Sequence, residues 1–258
     1  MIFVYDGTLE GLLSAIFEIY RLKVTEVTDI SPEERHREEL FSDSIRVDTV
    51  PEHAARVLAG LERRSGNGGL RRWLLRALLS EHERVERLVL HYCRRQFTSE
   101  HDVSQDSADP RIRQLQRLDQ QMGREIHRLH QFVRFQETPD GLFVALINPD
   151  FNVLPVGCDH FVARYPAMHW LIYDTRRHYG FHWDPELRRA EFTTLDTEQD
   201  GRLRYLSQEM LAGGETDYQQ LWQTYFRSVD IPERRNLKVH LAHVPRRYHR
   251  YLTEKTGR

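Results

Sequence analysis

The spacing of the apolar residues changes near Phe132, at the end of a helix-rich middle, and that change limits the architectures open to the chain. Between Pro51 and Gln131 apolar residues recur every three to four positions, the period of amphipathic helices. Pro51 opens one such helix as a first-turn proline. The stretch 69–97 (GLRRWLLRALLSEHERVERLVLHYCRRQF) reads as one long helix after the GNGG break at 66–69. A polar linker, 98–109, precedes a further helix over 110–131. Beyond it the apolar residues come in short runs bounded by turn residues, so strands are expected. FVRFQETPDGLFVALINPD (132–150) reads as two strands around a TPDG turn. A short helix is expected at 158–165, strands within 169–184 and 187–195, a helix at 216–228, and a last helix from Pro245.

Ahead of the helical middle lie a strand at 2–6, an amphipathic helix at 8–22 and a strand at 44–50; the polar stretch 29–42 reads as a loop or short helix. Together these give an α+β fold: an antiparallel sheet with covering helices and a helix-rich middle region. The 258 residues are read as a single domain, with a helical subregion at about 51–131 and a basic C-terminal segment at 231–258.

Several classes are excluded. With 40% hydrophobic and 29% charged residues the chain is not of the disordered kind. It holds no apolar run of membrane-spanning length and no signal-peptide pattern at its start, so it is expected in the cytoplasm. Cys93 and Cys158 stand far apart with no CxxC, against a cysteine-ligated zinc or iron–sulfur centre, and both read as small core residues. The histidine groups His127/His130, His178/His182 and His240/His243/His249 lack an accompanying signature such as HExxH, so no metal site is assigned. The residues name no cofactor.

Four stretches carry candidate chemistry. In VYDGTLEG the strand-to-helix turn places helix N–H groups where an anion could sit, although neither GxGxxG nor a P-loop is present; Asp6, at the strand end, is the candidate functional group. In CDHFVARYPAMHWLIYDTRR (158–177), His160 and Arg164 share a helix face, and strand alternation puts Trp170, Ile172, Asp174 and Arg176 on one side. There Asp174 paired with an arginine could orient a substrate and His160 is a candidate acid/base, against the alternative of a buried salt bridge beside a core Trp. In RRNLKVHLAHVPRRYHRYL (234–252), basic residues interleave with Tyr248 and Tyr251, suited to phosphates and bases or to a basic helix docked through its aromatic residues. Residues 231–258 hold eight Lys/Arg against Glu233 and Glu254, a formal +6 that points to an anionic partner.

VYDGTLEGLL, FVRF after a histidine-bearing helix, HFVARYPAMHWLIYDTRR and RNLKVHLAHVPRRYHRYL occur in that order. Together, over roughly residues 2–252, they resemble a bacterial family labelled "probable DNA metabolism protein". The resemblance implies a DNA-repair or DNA-modification setting, a neighbouring radical-SAM protein, and relatives in which this domain is fused to a uracil-DNA-glycosylase-like domain. It places emphasis on Tyr5, Asp6, Gly7, Thr8, Arg134, His160, Phe161, Arg164, Trp170, Asp174, Arg176, Asn236, Lys238, Pro245, Arg247 and Tyr248. His249 departs from the bulkier aromatic usual in that family, which weakens a stacking role there. It supplies no reaction.

The reading that follows is a DNA-associated protein of a repair or modification pathway. His160, Asp174 and Asp6 are its candidate catalytic groups for a step on a nucleotide or damaged base. Arg134, Arg164, Arg176, Lys238, Arg246, Arg247 and Tyr248 are its candidate anion-binding groups. The alternative is a non-catalytic partner that docks on the radical-SAM enzyme through the helical middle and presents DNA to it.

Overall fold

The opening apolar run forms β1 (Ile2–Tyr5), and the amphipathic stretch after it forms α1 (Leu9–Arg21). The structure, a computed structural model, describes residues 1–37, 43–66, 68–194, 211–215, 219 and 244–252. Thr8 caps α1 through its hydroxyl, which accepts the Gly11 N–H at 2.9 Å. The helix buries Leu12, Leu13, Ile16 and Ile19. Each such side chain stabilises the fold by about 1.5–3 kcal/mol through water exclusion, so Leu12→Ala alone would cost about 2–5 kcal/mol.

Two further strands flank β1, both parallel to it: β2 (Asp29–Pro32) and β3 (Ser44–Arg46). The expected loop or short helix at 29–42 is therefore corrected: it opens with a strand, followed by one 3-10 turn at Glu33–Arg35. Within β2 only Ile30 and Pro32 are buried, and a proline is a poor strand former, so the strand exists through its pairing with β1 rather than through its own pattern.

α2 (Pro51–Ser65) begins at its proline and ends on Gly66, whose φ of 65° is the left-handed cap that glycine suits. The single long helix expected over 69–97 is two: α3 (Leu70–Leu78) and α4 (Val85–Thr98). Glu81 and Arg84 between them take positive φ, 52° and 59°. A straight helix would carry the apolar faces of both halves along one line. The break lets Leu70, Leu74 and Ala77 of α3 and Val85, Val89 and Cys93 of α4 enter the same core as β1 and α1. Core burial outweighs the strain of the two left-handed residues, about 1–2 kcal/mol each.

α5 (Pro110–Phe132) follows. The chain divides into two compact units, Met1–Gly123 and Arg124–Arg258, with the boundary inside this helix.

In the second unit β4 (Gln136–Glu137) and β5 (Phe143–Ile147) form the expected hairpin around the TPDG turn, where Gly141 has φ 82°. The chain then passes through α6 (Leu154–Gly157) and α7 (Asp159–Arg164) to β6 (Trp170–Asp174), β7 (Tyr179–Asp184) and β8 (Arg189–Thr193). The sheet order is β4-β5-β6-β7-β8. The expectation of an antiparallel sheet is corrected here: β5 and β6 run parallel, because a helical crossover rather than a hairpin joins them, and only the flanking pairs are antiparallel. All five residues of β6 are buried, as suits a central strand covered on both faces. One further helical turn, Arg246–His249, follows Pro245, shorter than expected. Apart from Gln219, the helix expected at 216–228 lies outside the described residues, as does Lys238. No helix among the described residues is long and apolar enough to cross a membrane.

Candidate functional site

The opening turn is occupied by its own carboxylate. Asp6 Oδ1 accepts the Thr8 N–H at 2.9 Å and the Thr8 hydroxyl at 2.7 Å, and Oδ2 accepts the Thr49 hydroxyl at 2.7 Å. Partial burial raises the Asp6 carboxyl, but the bonds from Thr8 and Thr49 outweigh it and hold the group below its usual range. Gly11 leaves room for this arrangement: a Cβ there would lie 2.1 Å from Asp6 Oδ1. The place where a helix terminus would receive an external anion is thus filled by the side chain that the sequence supplies. Asp6 ties β1 to the segment after β3 within the first unit, as a structural carboxylate.

The second unit gathers more of the candidate residues. Its parallel pair, β5 and β6, ends at Ile147 and Asp174, and ligand sites of open α/β sheets lie beyond such carboxyl ends. Asp174 is wholly buried. It accepts the N–H groups of Arg176 (2.9 Å) and Arg177 (3.2 Å) and the Arg177 guanidinium at 2.8 Å. The ion-pair partner of Asp174 is therefore Arg177. Arg176, expected on the strand face with Asp174, lies past the strand end; its exposed side chain reaches the Asp150 carbonyl at 3.3 Å.

Beside this turn stands a second buried carboxylate, Glu125 of α5, 1% exposed. It accepts Arg247 at 2.8 Å on both oxygens, the Tyr248 hydroxyl at 2.8 Å, the Asp150 N–H at 3.0 Å and Arg128 at 3.0 Å. Burial pushes the Glu125 carboxyl up, but the bonds from Arg247, the Asp150 N–H and Tyr248 overcome this and hold it below its ordinary value. Arg247 also pairs with Asp150 at 2.9 Å and lies over the Tyr248 ring. Arg247 and Tyr248 thus face inward. A Tyr248 that is 3% exposed and bonded to Glu125 does not offer its ring to a base, which corrects the expectation of stacking there. The C-terminal segment is docked through Tyr248, Tyr251 and Leu252, the second of the two arrangements its pattern allowed.

The outward cations are different residues. Arg246 and Arg250 are exposed, as is Arg176. Tyr251 hydrogen-bonds Thr175, next to Arg176, at 2.9 Å, and the Arg250 guanidinium sits over the Tyr251 ring at 4.5 Å. This contact places Arg176 and Arg250 on neighbouring backbone at the carboxyl end of the sheet.

The remaining candidates stand apart from this cluster. His160 is exposed and stacks on His130, with ring centroids 4.2 Å apart; His130 in turn bonds the Gly157 carbonyl at 3.0 Å. Its packing partner is therefore another histidine, whose own charged form burial disfavours. Arg134 turns back on the end of α5, donating to the carbonyls of Gln131 (2.9 Å) and Val133 (3.2 Å). Arg164 is exposed beside the Tyr165 ring. Among the described residues no group of three His, Cys, Asp or Glu side chains could hold a metal.

Glu125, Arg128, Asp150 and Arg177 were not singled out from the sequence. Glu125 had a signal: it occupies the apolar stripe Leu118, Met122, Glu125, Leu129, and a carboxylate on a buried stripe needs a cationic partner.

A comparison with curated proteins finds no match. The family model for DUF4130, a domain of unknown function, matches residues 83–254. That is well over half of the chain, and the protein belongs to the DUF4130 family.

Proposed function

We propose that this protein is a DNA-associated member of a repair or modification pathway, and that it holds the phosphate backbone rather than carrying out a reaction on it. The observation that carries this reading is the division of labour among the C-terminal arginines. Arg247 is bound to Glu125 and Asp150 and fixes the segment to α5 and the turn after β5, while Arg246 and Arg250 are exposed, Arg250 on backbone neighbouring Arg176. Cations held on a rigid base suit phosphate contacts, which position a duplex without reading its sequence.

The binding role is preferred to the catalytic one because Asp174 is buried and accepts three donors, so it has little capacity left to orient a substrate. His160 stacks on His130. In this reading the chain presents DNA to a partner enzyme, and a radical-SAM protein is the partner that the sequence resemblance suggests.

Fluorescence anisotropy with single- and double-stranded oligonucleotides, with and without uracil or an abasic site, tests the reading. The expected result is lesion-independent binding that weakens steeply with salt. Absence of binding at low salt would reject it, and cleavage or base release by the chain alone would return the catalytic role.

A further inference from the structure

A second cationic site lies in the first unit, in a cleft of about 300 Å³ between the start of α4 and the start of α5. Arg84, Arg87, Arg94 and Arg111 line it, with His82 and His91 between them. Val27, Leu88 and Leu90 supply an apolar side. The acid on its lining is Glu83, 86% exposed and 3.6 Å from Arg84. Four guanidinium groups against one solvated carboxylate give the cleft a strong positive potential, which partly enclosed walls focus.

The hydrogen bonds fix how the histidines serve it. Arg111 Nη1 meets His91 Nδ1 at 3.1 Å, and an arginine only donates, so His91 Nδ1 accepts. His91 Nε2 then donates to Asp109 at 2.7 Å. His82 Nδ1 donates to the Glu83 carbonyl at 2.7 Å, which leaves Nε2 to accept from Gln114 at 2.9 Å. Both ring nitrogens of each histidine are thus taken by neighbouring groups. Asp109 is already taken by His91 and by Arg95, at 2.7 Å each, and its carboxyl stays well below the usual range through those bonds despite some desolvation. Its charge is paired with Arg95, which does not line the cleft. Arg94 donates one nitrogen to the Val24 carbonyl at 3.1 Å. Arg87 is exposed and has no partner among the described residues.

We propose that this cleft binds a phosphomonoester carried on an apolar or aromatic group, as in a nucleotide: the phosphate on Arg84, Arg87 and Arg111, the base or sugar against Val27, Leu88 and Leu90. The volume is at the small end for ligand pockets and fits a mononucleotide better than a larger cofactor. Arginine forks match phosphate oxygens in pairs, and the alkyl side gives the carried group a place out of water. Free nucleotide and the 5′-phosphorylated end of a strand share this chemistry. The site stands independently of the C-terminal arginines.

The test is calorimetric titration of the full chain with deoxyadenosine monophosphate, deoxyadenosine and inorganic phosphate. A second arm measures anisotropy of one short oligonucleotide with and without its 5′-phosphate. The nucleotide is expected to bind, the nucleoside at least tenfold more weakly, and phosphate to compete. Arg87→Ala should weaken the nucleotide about tenfold or more and Arg87→Lys should restore part of it, with the melting temperature unchanged. Arg246→Glu/Arg250→Glu should leave this binding intact. Tighter binding of the phosphorylated oligonucleotide would identify a strand end as the source; equal binding of both oligonucleotides beside a bound mononucleotide would identify the free nucleotide. No binding of either phosphorylated probe at millimolar concentration, equal binding of nucleoside and nucleotide, or full binding by Arg87→Ala would overturn the proposal.

Discussion

Glu125 and Glu86 are both 1% exposed, and the structure predicts opposite behaviour when each is replaced by glutamine. Glu125→Gln keeps the shape but removes the charge that Arg247 and Arg128 face, and it turns an amide toward groups that can only donate. Breaking a buried pair costs about 3–5 kcal/mol. Arg247 keeps Asp150 and is 25% exposed, so the lower end applies, about 3 kcal/mol. For a unit of this size that lowers the melting temperature by about 10 °C. Glu86 accepts from the Tyr5 hydroxyl at 3.1 Å and from Arg35, which is 48% exposed. Burial raises the Glu86 carboxyl and its partners do not offset this. Removing the charge relieves desolvation, the amide oxygen still accepts from Tyr5, and Arg35 stays hydrated, so Glu86→Gln changes stability by less than about 1 kcal/mol.

The pH dependence separates the two further. Glu125 has a depressed folded value, so its contribution is present above the ordinary glutamate value of 4.5 and is lost as pH falls through the folded value. Glu86 has a raised value, so its contribution is complete below that ordinary value and is lost as pH rises through the folded one. Differential scanning calorimetry of the three proteins between pH 3 and pH 8 checks this. Equal losses for both variants, or an unchanged melting temperature for Glu125→Gln, would refute the reasoning.

Gly11→Ala, which in an open helix would gain about 1 kcal/mol, should instead cost about 1–3 kcal/mol, because the new Cβ meets Asp6 Oδ1; thermal denaturation of the double variant with Asp6→Ala should show recovery. Asp174→Asn removes the buried partner of Arg177 and should cost about 3 kcal/mol, while oligonucleotide affinity of the folded variant stays within twofold of wild type by anisotropy. His160→Ala should change neither property, since that ring is exposed. Burial pushes the Cys93 thiol up to about 12 and raises that of Cys158, so neither should react with a chromogenic disulfide reagent until the chain is unfolded.

How much of this was legible in the sequence depends on the length of the pattern. α1, α2 and α5 and the TPDG hairpin carried long periods or a specific turn, and the structure has them. The break at 79–84 carried no glycine or proline; it arises from the core shared by α3 and α4, which no local pattern reports. β2 buries only Ile30 and Pro32 and owes its existence to β1. The parallel β5–β6 pair was open to inference, because a helix expected at 158–165 between two strands is a crossover, and a crossover makes strands parallel. At the candidate site the sequence pointed to Asp174 and Arg247 but not to their partners. Adjacent arginines in TRR and PRR look alike as text. Which one turns inward depends on where Asp174, Asp150 and Glu125 stand in space.

The central claim is that Arg246 and Arg250 hold phosphate while Arg247 holds the protein. Its most direct test is the salt dependence of duplex affinity for wild type and for Arg246→Glu/Arg250→Glu, with calorimetry to confirm that both are folded. The account predicts an unchanged melting temperature, at least tenfold weaker binding, and a logarithmic salt slope shallower by about 2, close to one unit per lost phosphate contact. Equal affinity and equal slope in the two proteins would contradict it.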